Sequence, residues 1–244
     1  MSQVAESQGP QILVFLDVLG FGDMYQRLGH QATLALYEAL LSFVDSQRGG
    51  VDAVPLPDGR TAVGWFLPEH AYFSDTILFW THYAPIRLFR MTQLAAEAVC
   101  KALEIGLPLR GAITLGKGTF DSERRIFIGA ALNEAAETEK AQAWVGVSFG
   151  PSILAAEFGR ELYLHTVLPY KSHAKSAAER AVPGLVVDWP RHWRETRQTD
   201  LCEAIHRLDV EPEAAEYYAT TLRFVAFSEE NHDWFRRSSH LEFG

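Results

Sequence analysis

The spacing of hydrophobic positions along the chain changes in a way that separates strands from helices. Gln11 to Leu16 (QILVFL) is a short, almost unbroken apolar run, the pattern of a strand buried on both faces, and it ends at Asp17. Gly20, Phe21 and Gly22 read as a turn, after which Leu34, Leu36, Tyr37, Leu40, Leu41 and Val44 keep helical spacing and predict a helix over Thr33 to Val44. Gly49, Gly50, Pro55, Pro57 and Gly59 mark an irregular loop. The runs AVGWFL and AYFSDTILFW then read as strands, the second interrupted at Asp75, which predicts a hairpin pivoting there. Beyond Pro85 a second helix carries Leu88, Met91, Ala95, Ala98, Val99 and Ala102 on one side and stops at Gly106 and Pro108. LRGAITLG follows as a strand. The order β, α, β, β, α, β predicts an α+β, ferredoxin-like core.

RIFIG, a helical ALNEAAETEKAQ and the strand WVGVS continue the alternation. In the last third, ELYLHTVL and GLVVDW read as strands and Glu213 to Phe227 as a helix bearing Tyr217, Tyr218, Leu222 and Val225. We therefore expect a main domain over 11–190 and a helical C-terminal appendage over 191–244, with Arg236 to Gly244 as a mobile tail.

Composition narrows the function. The 244 residues are 48% hydrophobic, enough to build a packed core, so a disordered chain is excluded. Asp and Glu number 31 against 22 Lys and Arg, a net charge of −9, which argues against a broad nucleic-acid footprint but leaves room for one local phosphate pocket. Cys100 and Cys202 are too few and too far apart for a disulfide framework, a zinc knuckle or a redox pair. The segment MSQVAESQGP has no basic stretch and the apolar run after it is broken by Asp17, so neither signal peptide nor membrane span is expected, and the cytoplasm is the default compartment.

Asp17 and Asp75 stand out because each is a carboxylate at the end or turn of an apolar strand. In a ferredoxin-like sheet the end of the first strand lies beside the hairpin turn, so the two can converge. Mg²⁺ takes one or two protein carboxylates and completes its shell with phosphate oxygens and water, which would compensate such a pair. Taken singly, each Asp reads more readily as a turn or helix cap.

The ordered segments FLDVLGF (Phe15–Phe21), YFSDT (Tyr72–Thr76), LRGAITLG (Leu109–Gly116) and IFIGAALNEAAE (Ile126–Glu137) resemble the motif set of class III nucleotidyl cyclases over roughly Gln11 to Ile153. Within that family they are most similar to the pyrimidine nucleotide cyclases of bacterial Pycsar antiphage systems. The resemblance implies a class III cyclase catalytic core in which Asp17, Asp75 and the carbonyl of Val18 hold two divalent cations, Mg²⁺ or Mn²⁺. It implies that Asn133 orients the ribose from the partner subunit of a head-to-tail homodimer with composite sites. Where purine cyclases of the class carry a base-reading lysine and a base-reading acidic residue, this chain has Ala71 and Ile126, and Glu137 stands at the position of the transition-state arginine. The expectation is a cyclase that makes 3′,5′-cyclic UMP, or less favourably cyclic CMP, with release of pyrophosphate. The product would be read by a separate effector in antiphage defence. A purine cyclase and a non-catalytic nucleotide-sensing module are the alternatives.

Arg110 is the candidate to replace the missing arginine or to read a pyrimidine carbonyl; its ordinary role would be an ion pair. Tyr72 is a candidate base-pocket residue or simply core. Lys171, with Lys175 and Arg180, is a candidate triphosphate contact or part of a solvated basic face. GVSFG (Gly146–Gly150) matches the nucleophile-elbow pattern of hydrolases, but the early strand offers Asp17 where an oxyanion segment would be needed, so Ser148 is expected to cap the helix near Pro151. The histidines, His165, His173 and His192 among them, have no metal-ligand spacing, and GKG (Gly116–Gly118) reads as a turn.

Overall fold

A computed structural model describes residues 9–47, 50–55, 61–66, 68–154, 166–175, 181–208 and 214–234. Arg180, His165 and the expected tail lie outside them, as does the start of the ELYLHTVL run. The chain runs β1 (Gln11–Val18), α1 (Phe21–Ser46), β2 (Gly50–Pro55), β3 (Thr61–Phe66), β4 (Glu69–Phe73), β5 (Thr76–His82), α2 (Pro85–Glu104) and β6 (Leu109–Gly116). It continues through β7 (Gly118–Asp121), β8 (Ile126–Gly129), α3 (Ala130–Lys140), β9 (Gly146–Phe149), α4 (Pro151–Leu154), β10 (Val167–Pro169) and β11 (Leu185–Val187). Three further helices follow: α5 (Trp189–Thr196), α6 (Leu201–His206) and α7 (Ala215–Glu230).

β1 pairs antiparallel with both β5 and β6, and β5 with β4, giving the order β6-β1-β5-β4 with α1 and α2 as the two crossovers. That is the ferredoxin-like arrangement the pattern predicted, and the fold is α+β. The sheet then grows past β6: β9 joins parallel to it, followed by β11 and β10, for seven strands among the described residues. β2 with β3 and β7 with β8 form two separate ribbons.

Alternation along β1 assigns the faces. Ile12, Val14, Leu16 and Val18 are buried with residues of α1 and α2, whereas Leu13 and Phe15 pack with Leu78, Trp80, Ala112 and the α3 residues Ala131 and Ala135. Asp17, in phase with Leu13 and Phe15, belongs to the α3 face.

Four expectations need correction. Phe21 and Gly22 are helical, so α1 starts twelve residues before Thr33; Gly20, at φ 68°, supplies the left-handed residue in front of it. The helical pattern was hidden because α1 is broken at Gly29 (φ 75°, ψ 171°), a conformation essentially restricted to glycine. The rings of Phe21 and Tyr37 lie 5.6 Å apart. Sixteen residues of straight helix would separate them by about 24 Å, so the two arms of α1 fold back on one another. The loop expected around Gly50 to Pro55 contains β2, and β7 begins at Gly118, inside the expected GKG turn. Finally, the strand expected to reach Trp189 stops at Val187; Asp188 accepts a hydrogen bond from the Arg191 amide and caps α5.

Residues on both sides of position 190 share one core. Trp189, Trp193, Leu201, Ile205 and Phe224 are buried in the same cluster as Val99, Leu109 and Val147. Arg197 makes a two-pronged bond to Glu97 (2.5 and 2.6 Å) and a third to Glu104, which fastens the end of α5 to α2.

Candidate functional site

The end of β1 is tied to the β4–β5 turn by main chain. Phe73 pairs with Thr76, leaving Ser74 and Asp75 as a two-residue hairpin turn, and Ser74 sits at φ 54°, as the first position of such a turn requires. The Val18 amide donates to the Asp75 carbonyl at 3.1 Å. Across the ladder Asp17 faces Thr76 on one side and Arg110 on the other, and the Thr76 hydroxyl donates to Asp17 Oδ1 at 3.4 Å. The two carboxylates singled out from sequence are therefore neighbours.

Their charges are not balanced. Burial, then the charges of Asp75 and Glu139, raise the Asp17 pKa to about 6, against smaller lowering influences from Arg110 and Thr76. Three carboxylates share one guanidinium here, an excess of two negative charges. One divalent cation matches that excess, so the residues fit one of the two ions the resemblance implies, and the charge of a second would have to be met by the triphosphate. Among the described residues no group of three or more His, Cys, Asp or Glu gathers as ligands. A cation would thus hold two carboxylates and draw its remaining ligands from phosphate and water, as Mg²⁺ commonly does.

Arg110 is already engaged. Its Nε and Nη2 both reach Glu139 Oε1, and Nη1 donates to the Gln142 carbonyl at 3.0 Å. The pair is nearly sealed, at 11% side-chain exposure for Arg110 and 5% for Glu139, and the guanidinium lies over the Tyr217 ring of α7. Arg110 also borders a cavity of about 710 Å³, with Gly20, Asp23, Arg27 and Tyr217 among its walls; neither Asp17 nor Asp75 lines it.

The other sequence candidates fall at different places. Ala71 is half-buried on the α3 face of β4, and β8, which carries Ile126, is joined to that strand by stacking of Phe73 on Phe127 at 5.9 Å. Tyr72 points to the opposite, α1 face, where it stacks on His70. Tyr72 and Arg110 of one chain therefore do not line a common pocket. Asn133 is exposed on α3, turned away from the core. Lys171 follows β10, four strands from β1, roughly 19 Å across the sheet at ordinary strand spacing. Lys175 Nζ donates to the Lys140 carbonyl at 2.8 Å, closing the end of α3.

Ser148 does not cap a helix. It is fully buried on β9, 2.7 Å from both Gln142 Oε1 and His173 Nε2. Gln142 Nε2 donates to the carbonyls of Gly111 and Thr138, and Oε1 accepts from Trp144 Nε1, so the amide orientation is fixed. Ser148 must then donate to Oε1 and accept from His173, which makes His173 the neutral Nε2–H tautomer. Its Nδ1 has no partner among the described residues, and burial lowers its pKa to about 3. This serine is a sealed structural hydroxyl with no route to a substrate, which removes the hydrolase reading. Sequence reasoning missed Glu139 and Gln142: they lie 29 and 32 residues from Arg110, and no local spacing announces the contact.

No protein-family model matches the chain, and no curated protein matches it. Among solved structures it is similar to adenylate cyclases from Trypanosoma brucei in their monomeric state, at 14% identity over 76% of this chain and 97% of that one, TM-score 0.44. It is similar to the catalytic core of a rhodopsin-guanylyl cyclase with converted specificity in complex with ATPalphaS, at 12% identity over 73% and 92%, TM-score 0.41. A third is a class III adenylyl cyclase-like ATP-binding protein from Pseudomonas aeruginosa, at 13% identity over 91% of this chain and 44% of that one, TM-score 0.36.

Proposed function

We infer that the chain is a class III-like nucleotidyl cyclase acting on a pyrimidine nucleoside triphosphate, UTP ahead of CTP, as a homodimer. The observation that carries this reading is the convergence of Asp17 and Asp75 with two uncompensated negative charges, at the two positions that the FLDVLGF and YFSDT motifs single out.

In this reading Asp17 and Asp75, with the Val18 carbonyl, hold the cations. Bound there, the ions would lower the pKa of the ribose 3′-hydroxyl and offset the charge of the triphosphate. The chain's own part is geometric. The main-chain tie between Val18 and Asp75 keeps the two carboxylate-bearing segments on one frame, and cations held there would help bring the 3′-oxygen toward the α-phosphorus. Asn133, exposed on α3, is available to a second copy and would orient the ribose there. Apolar Ala71 and Ile126 offer no polar reader of a purine edge, which favours the smaller base. Lys171, four strands from β1 in its own chain, would contact the triphosphate only from the partner subunit. A rim of exposed apolar side chains, Phe73 at 45% and Ile128 at 62%, flanks the α3 face and suits a second copy of the chain. The role in antiphage defence, through a separate effector, follows from the same resemblance.

Glu137, exposed on α3 at the arginine position, favours the second reading, a nucleotide-sensing module without turnover. Incubation with ATP, GTP, CTP and UTP, each with Mg²⁺ or Mn²⁺, followed by mass analysis, decides between them. Cyclic UMP as the main product, lost in Asp17→Ala, is expected. Equal turnover of ATP and UTP overturns the pyrimidine pocket, and no cyclic product from any nucleotide overturns the enzyme.

A further inference from the structure

Asp75 has a neighbour that the reading above leaves unused. Tyr37 lies on the second arm of α1, and its hydroxyl is buried with no hydrogen-bond partner among the described residues. A buried donor without an acceptor is destabilising, and native proteins retain such groups where another state satisfies them.

Contacts on either side fix where Tyr37 sits. Phe21, four residues after Asp17, packs its ring on Tyr37 at 5.6 Å. Eight residues farther along the arm, Asp45 Oδ1 meets His70 Nε2 of β4 at 3.1 Å. Eight helical residues advance about 12 Å, and the four strand residues from His70 to Ser74 about 13 Å. An arm anchored at Asp45 and running back along β4 therefore brings Tyr37 level with the β4–β5 turn. Tyr72, the last residue of β4 pointing to this face, is there too. The phenol is held up at about 12 by burial, then by the Asp75 carboxylate and Tyr72, so at neutral pH it keeps its proton and can only act as an uncharged donor or acceptor.

We propose that Tyr37 is a positioning residue for Asp75: its hydroxyl donates to the carboxylate oxygen that faces away from the cation, fixing the Asp75 side chain when the site is loaded. The inference rests on Asp17 and Asp75 being a cation site. Through Phe21 the same ring touches the start of α1, four residues beyond Asp17.

The test compares wild type, Tyr37→Phe and Asp75→Ala by three measurements. They are the thermal midpoint without metal, Mn²⁺ binding by electron paramagnetic resonance with and without 3′-deoxy-UTP, and the Mn²⁺ dependence of turnover. Tyr37→Phe deletes an unsatisfied hydroxyl, so without metal it should unfold at the same or a higher temperature. It should nevertheless bind Mn²⁺ about tenfold more weakly, the weight of a hydrogen bond to a charged group. Half-maximal turnover should need correspondingly more Mn²⁺, while the nucleotide KM at saturating Mn²⁺ moves less. Unchanged Mn²⁺ affinity in Tyr37→Phe, with binding lost in Asp75→Ala, overturns the positioning role and leaves the cation site standing. A lower metal-free midpoint in Tyr37→Phe marks a packing role and also overturns it. Absence of Mn²⁺ binding in wild type, or its persistence in Asp75→Ala, overturns the cation site and the role of Tyr37 with it.

Discussion

The amide of Val18 and the carbonyl of Asp75 are joined at 3.1 Å, so the main chain beside Asp17 and the main chain of Asp75 are held together by backbone, and only the side-chain rotamers remain to set how the two carboxylates meet. Two anions are thereby held together whether or not anything compensates them, and the fold bears the strain.

That strain is measurable as a pH dependence. The Asp17 pKa is 3.8 in the unfolded chain and about 6 when folded, raised by burial first and by Asp75 next. Between those values the native state holds more protons than the unfolded one, so this group's contribution to stability is lost as pH rises from about 4 through 6. Asp17→Asn should remove the loss. At pH 7.5 the variant is expected to be more stable than wild type by about 1–2 kcal/mol after allowance for solvent screening, with no difference below pH 4, while turnover disappears. Urea unfolding across pH 3.5 to 8 checks this; equal stability at pH 7.5 would contradict it.

Two inactive chains should restore one another. If Asp17 and Asp75 come from one subunit and Asn133 from its partner, an Asp17→Ala chain mixed with an Asn133→Ala chain places both defects in one site and leaves the other whole. With random exchange half the dimers are mixed, and activity should return to about a quarter of wild type. Co-expression followed by assay is the measurement, with about a quarter of wild-type activity expected of the unfractionated mixture and about half of the purified mixed dimer. An inactive mixed dimer removes Asn133 from the site.

Arg110 should behave as half of a buried pair before it behaves as anything else. Arg110→Ala leaves Glu139, 4% exposed, as an uncompensated charge, an expected cost of roughly 3–5 kcal/mol. Replacing both at once, Arg110→Met with Glu139→Leu, should recover most of that loss. Thermal unfolding together with turnover of the two variants separates this from an added role in base reading, which would leave activity lost in the double variant after its stability is recovered.

Arg110 also marks how far the sequence could be read. Its strand was plain, because LRGAITLG follows the helix stop at Gly106 and Pro108, and β1 beside it is an almost unbroken apolar run. Asp17 and Asp75 were plain for the complementary reason: a charge in such a run needs an explanation. Partnerships made across the fold leave no periodic trace, so neither the Glu139 contact nor the packing of Trp193 and Phe224 into the main core could be anticipated. The break in α1 was obscured because Gly29 shifts the phase of the apolar stripe, so that only the second arm kept a recognisable helical pattern. The face of Tyr72 depended on register, which reverses with a slip of a single residue.

Acid should destabilise the protein through His173. Burial depresses its pKa from 6.5 to about 3, so the unfolded chain binds the extra proton anywhere between those values, and this contribution falls away as pH drops from about 6.5 toward 3. Between pH 6 and 4 each group exchanges about one proton on unfolding with opposite sign, so the two slopes nearly cancel, and the loss from His173 stands alone below about pH 4, where Asp17 no longer opposes it. His173→Gln should make the unfolding free energy rise as pH falls from 6 to 4, from the unopposed Asp17 contribution, and flatten the fall below pH 4, even if it lowers the value at pH 7. A slope matching wild type would show that His173 is protonated while folded.

The bonding around Gln142 makes His173 a resident reporter. A ring N–H normally trades its proton with water too fast to observe, but this one is enclosed and donated to a serine oxygen that is itself committed elsewhere. It should give a persistent downfield proton resonance, coupled to a nitrogen whose shift stays still through the pH range in which surface histidines titrate. Because the acceptor belongs to β9 and the ring packs on Trp144 at 4.2 Å, the signal would fade when the parallel extension of the sheet loosens. The half of the molecule away from the carboxylates could then be followed in solution without a label of its own.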